Sequence, residues 1–306
     1  MHSRPPSSIL SPMQLALARN LAWCAVLLAA ASFTSAAPPD AVTLTPAIVV
    51  AGSPELIRVS ALPSAVLEGE WQGKQLAFFR GRDGHSWFAL AGVDVEAAVG
   101  PSKLTLIEKD STGRAIDVSR DVEINPARYA TGTLTVAPQF VEPPPEEATR
   151  IKSEIDLKTK IFSSSAAQPL WSGNFRAPLT APSTSSFGMR RTYNGKLASV
   201  HKGMDFRSPS GTPVRAGNSG IVVLARPLYF EGNCVVIDHG LGLFTVSMHL
   251  SRIDVHEGQH VSLGQQIGLS GATGRVTGPH LHWSVRWRDA SLDPAKLLRM
   301  DLSGVR

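Results

Sequence analysis

Pro279-His280-Leu281-His282-Trp283-Ser284-Val285-Arg286-Trp287 alternates polar and apolar side chains along its whole length. In a strand, successive side chains point to opposite faces. Leu281, Trp283, Val285 and Trp287 then form an apolar back. His280, His282, Ser284 and Arg286 share the other face, so two imidazoles point the same way. Taken alone, that face is explained equally well as a polar surface exposed to solvent.

A second cluster bears on the choice. In His201-Lys202-Gly203-Met204-Asp205 a histidine and a carboxylate stand four residues apart. On a strand this spacing again sets both on one face, and Gly203 between them leaves room for something bulky. A helix would also align them, but Gly203 and the nearby Pro209 disfavour one. One histidine, one aspartate and one further histidine make a three-ligand zinc site with a fourth position open to water, the form that catalytic rather than structural zinc takes. Zinc brings the pKa of its bound water to about 7 and polarises the carbonyl that the water attacks. Such chemistry also needs a base that is not on the metal. His280 is one candidate, through its shared face with His282, and His249 in Ser247-Met248-His249-Leu250-Ser251 is the other.

Around these clusters, from Trp171 onward, glycines and short valine-rich runs dominate, among them Gly220 to Ala225, Cys234 to Ile237 and Leu243 to Val246. They predict a nearly all-β region at residues 171–306, with Cys234 a small buried hydrophobe. Residues 38–140 read as a small antiparallel β-sandwich, from short alternating runs at Glu55 to Val59, Leu76 to Phe79, Trp87 to Leu90 and Lys103 to Ile107 separated by turn residues. Residues 141–170 read as a linker. Pro143-Pro144-Pro145 marks the boundary, and Ile151, Ile155 and Ile161 predict a connecting helix whose apolar face packs between the two β regions.

Residues 1–37 read as an export signal, with Arg4 and Arg19 ahead of an apolar core from Leu21 to Ala31 and small residues at Ser35, Ala36 and Ala37. The apolar core is too short to span a bilayer comfortably. Export would place the chain in the periplasm or cell envelope. Loss of the signal removes Cys24, so the remaining Cys234 has no disulfide partner within the chain. It also removes Arg4 and Arg19, taking the formal charge from +5 to +3. That charge suits a loose attraction to an anionic polymer and is too small to argue for nucleic acid.

H-x-x-x-D at His201 and Asp205, His249-Leu250-Ser251, and T-G-P-H-L-H from Thr277 to His282 resemble the lysostaphin-like zinc endopeptidases, which cut bacterial cell-wall peptides. The likeness also takes in Phe187 to Arg190, Gly211 to Val214, Ile237 to Gly240 and Val255 to Gly258, and spans about Trp171 to Leu298. It implies an antiparallel β-sheet metallopeptidase domain with one zinc ion on His201, Asp205 and His282. It makes His249 and His280 the catalytic pair and peptidoglycan the substrate. Many relatives carry tyrosine where this chain has Ser247, which leaves any hydroxyl role there unfilled; Tyr193 is a candidate phenol near the cleft. His239, His256, His260 and Asp238 read as structural or surface residues.

Other function classes fare less well. A catalytically silent wall-binding module that activates another hydrolase would be expected to lack ligands, and all five functional positions are filled. Val255 to Gly264 resembles the hairpin of biotinyl and lipoyl carriers, but no lysine for attachment lies between Lys202 and Lys296. The glycines at 268, 271, 274 and 278 are not followed by the strand, loop and helix of a phosphate site. The first β region has no catalytic constellation, and its expected role is to regulate the cleft or to receive a regulatory partner.

Overall fold

A computed structural model describes residues 41–305; the expected export signal lies outside the described residues. Among these residues no helix is long and apolar enough to cross a membrane.

Residues 42–124 form two antiparallel sheets. One runs Val42–Thr45, Pro54–Ser60, Ser86–Gly92, Phe79–Arg80. The other runs Lys74–Gln75, Val66–Trp71, Gly100–Lys109, Ala115–Asp117, with Arg120–Ile124 also paired to Gly100–Lys109. The alternation seen in the sequence becomes burial here: Ile57 and Val59 are buried while Arg58 and Ser60 face out. Leu76, Ala77 and Phe78 differ from expectation, since they precede the short strand Phe79–Arg80 rather than forming one.

Glu55 is buried on Pro54–Ser60. One of its oxygens lies 2.5 Å from Ser53 Oγ, and that hydroxyl is 2.8 Å from the Val50 carbonyl. A hydroxyl has one hydrogen to donate. Val50 and Glu55 therefore compete for the single Ser53 hydrogen. Burial pushes the Glu55 pKa up to about 8, moderated by its hydrogen bond with Ser53 and the charge of Lys296. The folded state thus keeps a proton that the unfolded chain releases near 4.5. This contribution is complete below about pH 4.5 and is lost as the pH rises through about 8, at up to about 1.4 kcal/mol per pH unit in that window. Urea unfolding between pH 5 and 8 should show the decline in the wild type and much less of it in Glu55→Gln; an equal decline in both would place its source elsewhere.

Helix α1 (Ala148–Ser163) follows, and then an eight-stranded antiparallel sheet: β1 (Ser183–Ser185), β2 (Met204–Phe206), β3 (Gly220–Leu228), β4 (Gly232–Asp238), β5 (Leu243–Leu250), β6 (His260–Val261), β7 (Leu281–Trp287) and β8 (Ala290–Leu292). The spatial order is β1-β2-β7-β5-β4-β3-β6, with β8 hairpinned onto β7. Leu281, Trp283, Val285 and Trp287 enter the core, as their period of two requires. That core is continuous with the one between the first two sheets. Phe79 meets Trp171 edge to face at 5.7 Å, and Leu292 packs so closely on Gly92 that a Cβ there would lie 2.4 Å from it.

The opposite face of β7 differs from a polar solvent face. His282 and Ser284 are buried. Helix α1 packs over the neighbouring strands, with Phe162 edge to face on Phe244 at 5.3 Å beside Leu224, Val236 and Val246, and with the Arg286 guanidinium carbon 4.4 Å from the Phe162 ring centroid. The connecting helix therefore lies on the sheet. Its contact runs through Phe162, Leu157 and Ile161, while Ile155, part of the expected apolar stripe, is 51% exposed. Cys234 is buried in this same cluster, where burial raises its thiol pKa and keeps it inert.

Candidate metal centre

Register assembles the site. Asp205 on β2 stands directly opposite His282 on β7, and Met248 on β5 is opposite His282 from the other side. His201 is not on a common strand with Asp205: it follows the strand Leu197–Val200, and the chain breaks at 201–203 before β2 begins. That break turns the imidazole into the cluster. Gly203 in the break has the His282 ring against it, so a Cβ at 203 would lie 2.4 Å from His282 Nε2.

Three donor atoms converge. His201 Nε2 lies 3.0 Å from Asp205 Oδ1 and 3.0 Å from His282 Nδ1, and His282 Nδ1 lies 2.9 Å from Asp205 Oδ1. His201 Nδ1 is 2.9 Å from the Ser186 carbonyl, which can only accept, so Nδ1 carries hydrogen. A neutral His201 then turns the lone pair of Nε2 on a carboxylate oxygen and a second imidazole. Such crowding of acceptors is relieved by a cation between them. Ligands of a four-coordinate zinc at its usual bond lengths lie roughly 3.3 Å apart, so the set fits zinc with little rearrangement, and two nitrogens with one oxygen suit its borderline softness.

Asp205 spends its other oxygen on Arg191, whose Nη2 donates to Oδ2 at 2.8 Å in a buried pair. This leaves Oδ1 for the cluster. Removing the guanidinium in Arg191→Met should weaken metal binding about 10- to 100-fold, the usual cost of losing an outer partner of a ligand. Competition with a chelator of known affinity measures this; unchanged affinity would show that the carboxylate is fixed without Arg191.

His280 and His249 stand beside the cluster. Their rings are 5.1 Å apart, and His280 Nε2 is 3.7 Å from Asp205 Oδ1. His280 precedes β7 rather than belonging to it, tied to Gly271 by an isolated bridge. Each ring is aimed by a backbone carbonyl: Gly278 accepts from His280 Nδ1 at 2.8 Å, and Thr273 accepts from His249 Nδ1 at 2.9 Å. Nε2 of each is thereby left as the acceptor. Burial, with His282 and His280 nearby, pulls the His249 pKa down to about 3, so its lone pair is available at neutral pH. Alternation along β5 would turn His249 away from Met248, but at φ +62° the backbone re-aims it, and both residues line one cavity.

That cavity, about 760 Å³, reaches from the cluster to α1 and includes Tyr193. His239 stays structural: it is buried, with Nδ1 on the Ser219 carbonyl at 2.8 Å and Nε2 on Thr245 Oγ1 at 2.9 Å. Asp238 accepts from the Gly240 N–H at 2.7 Å, the turn role expected of it. Arg191 and the carbonyls of Ser186, Thr273 and Gly278 are the members that sequence reasoning missed. None has a local signal, because each acts through its position in three dimensions.

Residues 199–294 match the sequence profile of Peptidase family M23. Over 114 residues the chain is 47% identical to the peptidoglycan DD-endopeptidase ShyA of Vibrio cholerae, a stretch covering 37% of this chain and 26% of that one. It is 40% identical over 98 residues to the DD-carboxypeptidase/endopeptidase Mpg of Neisseria meningitidis, covering 32% of this chain and 23% of that one. The chain spans about a quarter of the length of these curated relatives. A solved Pseudomonas aeruginosa protein assigned to peptidase M23 is 30% identical with a TM-score of 0.63, over 81% of this chain and 94% of that one. This chain belongs to peptidase family M23. The M23 match encloses His201, Asp205, His249, His280 and His282. The likeness to the Pseudomonas M23 protein extends well beyond that match and so takes in residues outside it.

Proposed function

We propose that this chain is an exported zinc endopeptidase that hydrolyses peptide bonds in peptidoglycan stem peptides or cross-bridges. The observation that carries the reading is the convergence of three donor atoms within 3.0 Å of one another, beside two imidazoles whose free Nε2 atoms adjoin the same cavity. His201, Asp205 and His282 would hold one zinc ion. When bound, the metal lowers the pKa of water towards about 7 and polarises a carbonyl. Nε2 of His249 or His280 takes a proton from the attacking water, and the imidazolium formed returns it to the leaving amine. The Thr273 and Gly278 carbonyls keep both rings in the tautomer this transfer needs. Burial of the cluster strengthens each of these interactions.

Peptidoglycan as substrate is supported by the named activities of ShyA and Mpg. Such a substrate places the work in the cell envelope, in keeping with a signal at residues 1–37. Residues 171–306 would then form the catalytic domain, residues 38–140 an accessory β domain, and residues 141–170 the connecting segment. Since α1 lines the cavity, that segment is suited to limit access, alone or through a partner bound at the accessory domain. A silent module that only binds wall would have no use for the full set of ligands and aimed imidazoles.

The test is mass spectrometry of purified sacculi incubated with the zinc-loaded protein, with the chelated protein, and with the chelated protein after zinc is restored. New peptide fragments in the first and third samples alone are expected. Fragments that persist under chelation, or none in any sample, would sink the reading.

A further inference from the structure

Six cations line the cavity, Lys158, Arg191, Lys202, Arg275, Arg286 and Arg288, against three carboxylates, Asp205, Glu231 and Asp289. Five of the six are already engaged. Lys158 pairs with Glu231, Arg191 with Asp205 at 2.8 Å, and Lys202 with Glu96 at 2.7 Å. Arg286 donates to the Ser291 hydroxyl and the Asp289 carbonyl, and Arg288 donates to the Gln75 carbonyl. Among the described residues, the side chain of Arg275 meets only ring faces: its guanidinium carbon lies 4.8 Å from the ring centroid of Tyr193 and 4.8 Å from that of Phe230. Stacking occupies the flat face of a guanidinium and leaves the N–H groups at its edge unspent.

The mount is stiff and tied to the reacting groups. Arg275 N–H donates to the Phe230 carbonyl at 2.8 Å, and Gly274 at φ +75° lies so near residues 230–232 that a Cβ would come within 2.3 Å of Gly232 N. The same loop aims both catalytic candidates, through Thr273 on His249 and Gly278 on His280. Arg275 stands between those two anchors in sequence.

We propose that Arg275 is a specificity-determining residue that binds a carboxylate of the peptide substrate while the bond beside it is cut. The proposal rests on the peptidase reading of the site. In a peptide the matching anion is a carboxylate, from a chain end or from an acidic side chain, and a guanidinium edge takes it through paired hydrogen bonds.

The experiment uses one acidic wall stem peptide in three forms: free, amidated at the chain end, and amidated at the side chain. For wild type, kcat/KM should fall about 10- to 100-fold for one of the two amides, the worth of a hydrogen bond to a charged group, and mainly through KM. Which amide loses names the source. In Arg275→Gln this preference should fall to near one, with partial recovery in Arg275→Lys. Equal turnover of all three forms by wild type, or a preference retained in Arg275→Gln, overturns the proposal. So does an equal loss on every peptide with the preference intact, which marks a structural role. Calorimetric binding of the same peptides to wild type and Arg275→Gln separates the two readings: if nothing is cut, the peptidase reading fails, and carboxylate-selective binding still decides the role of Arg275.

Discussion

Alanine at position 282 is expected to leave the chain folded and to lower zinc-dependent cleavage of wall peptides by at least about a thousandfold. His282 Nδ1 is within 3.0 Å of both other donor atoms, so its loss leaves two ligands where three had converged. A metal contributes several kcal/mol of transition-state stabilisation, and each 1.36 kcal/mol is tenfold in rate. The fold has little at stake, since His282 belongs to the front face of β7 while Leu281 and Trp283 on either side hold the core. The measurements are zinc per chain by elemental analysis, the unfolding temperature with and without zinc, and cleavage of sacculi. The wild type should gain unfolding temperature on adding zinc and His282→Ala should not. A variant that still bound one zinc and cut wall peptides would remove the assigned ligand set.

Gly203→Ala is expected to cost about a hundredfold without removing a ligand. The added methyl would lie 2.4 Å from His282 Nε2, 2.6 Å from the neighbouring ring carbon and 2.8 Å from the Trp283 carbonyl oxygen. The ring must retreat by about 1 Å to restore ordinary contact, and a misplacement of that size costs about a hundredfold in rate. Overpacking adds about 1–3 kcal/mol of destabilisation. Zinc affinity should fall along with activity, and a crystal structure of the variant should show the imidazole displaced. Wild-type affinity in Gly203→Ala would mean that the loop at 201–203 yields instead.

The candidate ligands left a mark in the sequence, since His201 and Asp205 stand four apart and the H-x-H pair opens a strand, but the choice of His282 as the third came from the resemblance to the lysostaphin-like endopeptidases. The back of β7 was legible directly, since a period of two needs only neighbours along the chain. Long-range geometry was not. His201 and Asp205 share a cluster because the chain breaks between them, whereas the alternation rule assumes an unbroken strand. His280 lies outside β7, and its ring is aimed by the Gly278 carbonyl rather than by a shared strand face. The isoleucine stripe of α1 foretold a helix but not the burial of Phe162, because what covers a sheet depends on how the chain returns to it. Arg191 pairs with a carboxylate fourteen residues away, and no periodicity encodes that contact.

His249 sits at φ +62°, a conformation that asparagine, aspartate, histidine and glycine tolerate better than branched or bulky residues. The demand comes from the backbone and would outlast the chemistry. A descendant that gave up catalysis would be free to lose this imidazole, yet its replacements would be drawn from asparagine, aspartate and glycine far more often than from valine or isoleucine. Decay of the enzyme would leave a mark at this position: the shape of the turn would be inherited after its purpose had gone.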